Sequence, residues 1–192
     1  MGVFTNPTIR TVSGRLFDPR NPEDFEYTIE DIAHSLSHQC RYIGHCSWFY
    51  SVADHSIMAC QIIRDRYPDR PDLALEALLH DASEAFLTDV ASPIKALLPD
   101  YQQLESRIQK EIAKQFRIPH PMSPEVHLVD KQLLVAEMKV LFGSVIEGLP
   151  PIPEPQEPIE IYPDDMDPDA SYILFLKLFR SLRRDVALFV SQ

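Results

Sequence analysis

The chain has 192 residues, 45% of them hydrophobic, and a formal net charge of −11 at pH 7. That is enough apolar material for one domain with its own core. The acidic balance argues against a binder of nucleic-acid polymers or anionic membranes, which needs basic surface, although a few local Lys or Arg can still hold a small anion.

No apolar run approaches the length of a membrane span. The start, Met1-Gly2-Val3-Phe4-Thr5-Asn6, lacks the basic and apolar regions of a secretory leader and the myristoylation pattern. Cys40, Cys46 and Cys60 form no CxxC pair and leave one odd thiol. Structural thiols in the reducing cytoplasm are the expectation.

Residues 1–27 show no helical period and read as loop with a short hairpin over 8–17. Thr28 then caps a helix whose first turn carries Glu30 and Asp31 and whose apolar face is Ile29, Ile32, Ala33, Leu36 and Cys40. Gly44 ends it or begins a turn. Ser51 caps a second helix, to about Tyr67, with Val52, His55, Ala59, Ile62 and Ile63 on one face. After Pro68 and Pro71, the run Leu73-Ala74-Leu75-Glu76-Ala77-Leu78-Leu79 predicts a helix buried on most sides and reaching Asp81. Ser92-Pro93 looks like a capped start. Helices over 100–117 and from Pro124 to about Ser144 follow, the first with Leu104, Ile108, Ile112 and Phe116 in step. The second carries Val126, Val129, Leu133, Leu134, Ala136, Val140 and Leu141, with Asp130 on an inward face. Seven prolines in 149–168 exclude a regular element there. Asp167-Pro168-Asp169 caps a last helix over 169–189, with Ile173, Leu176, Phe179 and Val186 expected to be buried.

The sum is an all-α bundle of about six helices in a single domain, 1–192. Its parts are an N-terminal extension (1–27), a core (28–145), a Pro-rich connector (146–168) and a C-terminal helix (169–192). That last helix, behind its connector, is an expected docking element for a homo-oligomer, foremost a dimer.

Three apolar helices each bring a polar residue to the core face: His55, His80 with Asp81, and Asp130. One such residue is ordinarily a satisfied buried polar group. Three on separate helices point to converging ligands for one divalent metal ion, and imidazole with carboxylate suits Mn, Fe, Co, Ni or Zn better than Ca. If the central helix continues, Glu84 shares the face of His80 four residues on. For that stretch alone, the plain alternative is a helix end with His80 against the dipole and solvated acids beyond. His34 and His38 are spaced i, i+4 but fall off the apolar face and lack the HExxH Glu. His120 and His127 read as surface, Trp48 as core rather than a stacking ring, and Glu137 as a buried acid sharing the face of Asp130.

His55, His80-Asp81 and Asp130 resemble the H…HD…D signature of the HD-domain metal-dependent phosphohydrolases. Tyr50-Ser51-Val52-Ala53-Asp54-His55-Ser56 resembles that family's first-His segment. His80-Asp81-Ala82-Ser83-Glu84, then Asp89 and Ser92-Pro93-Ile94-Lys95, is similar to the run found in bacterial 5′-deoxynucleotidases and phage deoxynucleotide triphosphohydrolases. The resemblance covers roughly residues 28–145. It implies His55, His80, Asp81 and Asp130 on one divalent ion (Mn, Co, Mg, Fe, Ni or Zn), Glu84 orienting or activating the attacking water, and Asp89 assisting proton transfer. It further implies Lys95 and Arg41 on phosphate oxygens and Tyr42 near the sugar or base; His45, which follows Gly44 in the same turn, is a further candidate substrate contact. The expected activity is hydrolysis of a deoxynucleoside 5′-mono- or triphosphate. A cyclic or signalling-nucleotide phosphodiesterase, or a metal-binding module without turnover, are the alternatives.

Overall fold

The computed structural model describes residues 7–145, 147, 149, 151–155, 157–162 and 167–190. Residues 1–6 of the extension, positions 146, 148, 150, 156 and 163–166 of the connector, and 191–192 lie outside the described residues. The fold is all-α. Among the described residues there are six helices of nine residues or more: α1 (Ile29–Ser37), α2 (Val52–Arg66), α3 (Pro71–Leu79), α6 (Pro99–Phe116), α7 (Pro124–Phe142) and α8 (Pro168–Val190). Two single-turn helices, α4 (Glu84–Leu87) and α5 (Ser92–Lys95), stand between α3 and α6.

The expected hairpin is present. β1 (Ile9–Arg10) pairs antiparallel with β2 (Leu16–Phe17), Ile9 opposite Phe17. Its turn uses Gly14 at φ +85°, where a side chain would be strained. Asp31, in the first turn of α1, accepts from the backbone N–H and hydroxyl of Ser13 and so ties hairpin to helix. Phe17 enters an aromatic cluster with Phe25, Tyr27 and Phe86, ring centres 4.9–6.3 Å apart. Phe86 belongs to α4, so this cluster fixes the segment that carries Glu84.

The core is built on α2 packed along α3, with α1, α7 and α8 around them. Every residue from Leu73 to Leu79 is buried. At ~1.5–3 kcal/mol for each fully buried Leu, this helix is anchored too firmly to shift without unfolding. Its one charged member, Glu76, accepts from the backbone N–H and hydroxyl of Ser123 and thereby caps the entry to α7. α2 starts in a full capping box: Ser51 Oγ accepts from Asp54 N at 3.0 Å and Asp54 Oδ2 accepts from Ser51 N at 2.9 Å. Asp54 also accepts from Ser171 of α8. Asp54→Ala removes a cap and an interhelix bond together, an expected loss of about 1–3 kcal/mol. Thermal unfolding should show a midpoint several degrees lower, and an unchanged midpoint would mean that this cap is dispensable.

Four expectations need correcting. α3 ends at Leu79 rather than Asp81, because Gln109 of α6 donates to the Leu79 carbonyl and accepts from Ser83 N, holding the chain in a turn between α3 and α4. α1 ends at Ser37, so Cys40 is not on its face; Cys40 bridges to Ser51 in extended backbone. Val140 is exposed on α7. On α8 the buried stripe is Phe175, Leu176, Leu178 and Leu182, whereas Ile173 is 50% exposed and Phe179 and Val186 are half-buried. The last helix packs on α1, α3 and α2 of its own chain, and that contact sets its rotation. The described part of the connector also lies on the core, with Ile161 buried and the Pro153 carbonyl accepting from Gln132.

Candidate metal centre

His55 projects from the first turns of α2, His80 from the end of α3, Asp81 from the turn after it, and Asp130 from the middle of α7. Both histidines are buried. His55 Nε2 lies 3.2 Å from His80 Nε2, 3.2 Å from Asp130 Oδ1 and 3.7 Å from Asp81 Oδ2. His80 Nε2 lies 3.2 Å from Asp81 Oδ2 and 3.8 Å from Asp130 Oδ1. The opposite ring nitrogens decide what this cluster needs. His55 Nδ1 is 2.6 Å from Glu137 Oε1, and His80 Nδ1 is 2.7 Å from the Ala77 carbonyl. Carboxylate and carbonyl only accept, so Nδ1 carries the hydrogen in both rings, and each neutral ring turns a lone pair inward. With both rings neutral, two nitrogen lone pairs and the Asp81 and Asp130 carboxylate oxygens lie around one point without a hydrogen between them. Only a positive charge at their centre relieves that arrangement. His55, His80 and Asp130 form a group that could hold a metal ion.

Without an ion, protons supply the charge. Burial alone would lower the pKa of His80, but Asp81 and Asp130 raise it well above the ordinary 6.5. For His55, burial and Arg41 lower the pKa, and Glu137 and Asp130 outweigh them. Burial raises the Asp81 and Asp130 carboxyls, yet both are held well below 3.8 by the two histidines. A raised histidine pKa gives stability that is whole below the unfolded value and is lost as pH rises through the folded one. A lowered aspartate pKa gives stability present above the unfolded value and lost as pH falls. In metal-free protein this cluster therefore stabilises most between about pH 4 and 6.5. A divalent ion requires neutral rings, so loading should move the stability optimum upward. Denaturant midpoints across pH, with and without added Mn, check this; an identical profile in both would contradict it.

Glu137 supports the cluster from behind. Wholly buried, it accepts from His55 Nδ1 on one oxygen and, on the other, from Arg41 Nη2 at 3.2 Å and the Tyr42 hydroxyl at 2.6 Å. Burial would raise its pKa, but Arg41 and His55 pull it down to about 2. Arg41 and Tyr42 are thus turned inward onto Glu137, and Arg41 reaches the ligand group only through Nη1, 3.8 Å from Asp81 Oδ2. Ser47 holds the same turn to the end of α7 by two bonds to the Leu141 carbonyl.

On the other side, Glu84 is 4% exposed. Its Oε1 accepts from Lys95 at 3.3 Å, and its buried Oε2 has no partner. Burial first, then Asp81 and Asp89, push its pKa well above the ordinary value. Asp89 is raised by burial and Asp81 against the pull of Arg41 and Lys95. Lys95 also donates to Glu105 at 2.7 Å, and burial is outweighed by Glu84 and Glu105 in holding its charge firmly. His80, Asp81 and Lys95 line an open cavity of about 280 Å³, whose other walls include Gln109 and Glu105 of α6 and the 118–122 segment.

The four expected ligands, with Glu84 and Lys95, are therefore gathered in one region. Because α3 breaks, Glu84 gets there through α4 and not as the i+4 neighbour of His80 on one helix. His45 is exposed, at the end of the short turn Tyr42–Gly44. His34 and His38 stack on each other at 4.2 Å on α1 and at its end. His120 is exposed but lines the cavity, which its Pro-rich surroundings gave no reason to expect. Trp48 packs against the core. Two glutamines and one acid carry no mark in the sequence: Gln39, Gln109 and Glu105. Gln39 donates to the Glu84 carbonyl and accepts from Asp89 N, fixing both acids. Single half-buried polar residues like these carry no sequence signal of such tasks.

Fold and site together define an all-α protein with a buried His/Asp group able to hold a metal ion, and among the described residues no helix is long and apolar enough to cross a membrane. The chain is 37% identical over 182 residues to the uncharacterized protein YfdR of Escherichia coli (strain K12), covering 91% of this chain and 94% of that protein. It belongs to the family of that protein. It is also similar, 35% identical over 114 residues, to the uncharacterized protein RCAP_rcc00048 of Rhodobacter capsulatus, across 57% of this chain and 58% of the other. No protein-family model matches it.

Proposed function

We propose that the chain is a metal-dependent phosphohydrolase of the HD-domain type that works in the cytoplasm on a nucleotide phosphate ester, foremost a deoxynucleoside 5′-mono- or triphosphate. The observation that carries this reading is the group of His55, His80 and Asp130, with Asp81 Oδ2 within 3.7 Å of both histidines, beside a buried glutamate with one unpartnered oxygen. A structural metal site needs the first and has no use for the second. The donor set suits Mn, Fe, Co, Ni or Zn, with Mg as a harder alternative. When bound, such an ion polarises a phosphoryl oxygen and lowers the pKa of water.

The protein groups supply the rest. Glu84 Oε2, the oxygen without a partner, accepts a proton from the attacking water, and burial, Asp81 and Asp89 raise its basicity for that task. Asp89, raised in the same field, is the second station. Lys95, the one Lys or Arg among the described residues that lines the cavity, exchanges a carboxylate partner for a phosphate oxygen and offsets its charge. Arg41 and Tyr42 act through Glu137 in holding the His55 ring. A cavity of about 280 Å³, near the lower end of the roughly 300–1,000 Å³ of small-ligand sites, suits a small molecule rather than a polymer. Phosphate and polyphosphate release from a nucleotide panel with Mn, Co and Mg is the test. Release that needs a divalent ion is expected; silence across the panel would favour a metal-binding module without turnover.

A further inference from the structure

Two of the three thiols stand apart from the metal group yet flank the turn that braces it. Cys40 and Cys46 Sγ atoms lie 3.4 Å apart, and both residues are half-buried. They sit at the neck of a tight excursion. Below them the chain is zipped by Arg41 N donating to the Tyr50 carbonyl and Val52 N to the Gln39 carbonyl. Above them Tyr42 and Ile43 adopt φ of +55° and +58°, a left-handed backbone that side-chain-bearing residues rarely hold unless their surroundings impose it. The surroundings here are the bonds of Arg41 and Tyr42 to Glu137.

We propose that Cys40 and Cys46 form a reversible intramolecular disulfide that staples the neck of the Arg41–Tyr42 turn. A disulfide needs sulfurs about 2.0 Å apart, so a small side-chain movement from 3.4 Å closes it. The oxidant class is a small disulfide such as oxidised glutathione. One cysteine thiolate attacks a glutathione sulfur and releases one glutathione thiolate. The second cysteine thiolate then attacks the mixed disulfide at the protein sulfur and releases the other. Two electrons pass to the oxidant, and the two cysteine protons end on the two glutathiones. Burial and the Cys40 neighbour push the Cys46 thiol up to about 11, so closure is slow at neutral pH, and the closed bond has a poor leaving group and is long-lived. Cys60 is buried within α2, its thiol pushed up to about 12 by that burial, and takes no part.

The test is incubation of the full chain with oxidised glutathione, followed by intact mass, peptide mapping and thermal unfolding. The expected product lacks two hydrogens, carries no glutathione, maps to Cys40–Cys46 and leaves Cys60 open to alkylation after unfolding. Closing so short a loop should raise the unfolding midpoint by roughly 5 °C. Dithiothreitol should reverse the rise, and Cys40→Ser, or Cys46→Ser if that variant folds better, should never show it. Unconsumed thiols, a persistent glutathione adduct, or a Cys40–Cys46 bond that leaves the midpoint level or lower would each overturn the proposal.

Discussion

Glu84→Gln is expected to lower turnover by roughly 10²–10⁴-fold, the usual contribution of a positioned acid–base group, with fold and metal content intact. The substitution is gentle for a physical reason. The amide keeps the size and hydrogen-bonding reach of the carboxylate, and burial disfavours the charge that it removes. Its oxygen can still accept from Lys95 in the place of Oε1. What the amide cannot do is take a proton. Single-turnover hydrolysis, with metal measured on the same sample, separates chemistry from assembly. A rate within about threefold of wild type, the scale of a surface change under ~0.5 kcal/mol, would remove Glu84 from the mechanism and bring Asp89 forward.

Glu137→Gln should strike the same site from behind and through stability. All three partners of the carboxylate are donors: His55 Nδ1, Arg41 Nη2 and the Tyr42 hydroxyl. An amide presents one oxygen and one NH₂ to them, so at least one buried donor loses its acceptor, and Arg41 loses its closest counter-charge. Breaking a buried pair by removing one charge costs about 3–5 kcal/mol. For a chain of this size the unfolding midpoint should fall by roughly 6–20 °C. Because the carboxylate also fixes the His55 tautomer, metal affinity should drop by roughly 10–100-fold. A variant with wild-type stability and affinity would show that Glu137 is a bystander.

How much of this was legible beforehand depends on where each side chain finds its partner. His55 and Asp130 could be placed because apolar neighbours at helical spacing mark an inward face. The start of α2 could be placed because the cap that Ser51 supplies is a bond within three residues. The same holds for the hairpin around Gly14. The break after Leu79 was not legible. Ala82, Ser83 and Glu84 are acceptable helix residues, and what stops the helix is the side chain of Gln109, thirty positions away. The inward turn of Arg41 was hidden for the same reason, since its partner Glu137 lies ninety-six positions on. The stripe on the last helix was misjudged because residues on both of its flanks are apolar, and contact with α1 and α3 alone selects between them.

The most direct measurement is metal content after dialysis against a divalent salt and gel filtration, by elemental analysis. The inward lone pairs of His55 and His80 between Asp81 and Asp130 predict about one ion per chain in the wild type. They predict little or none in His55→Ala, Asp81→Ala and Asp130→Ala, each removing a ligand from a different segment. An ion-free wild type, or full occupancy in all three variants, would contradict the assignment of this cluster as a metal centre.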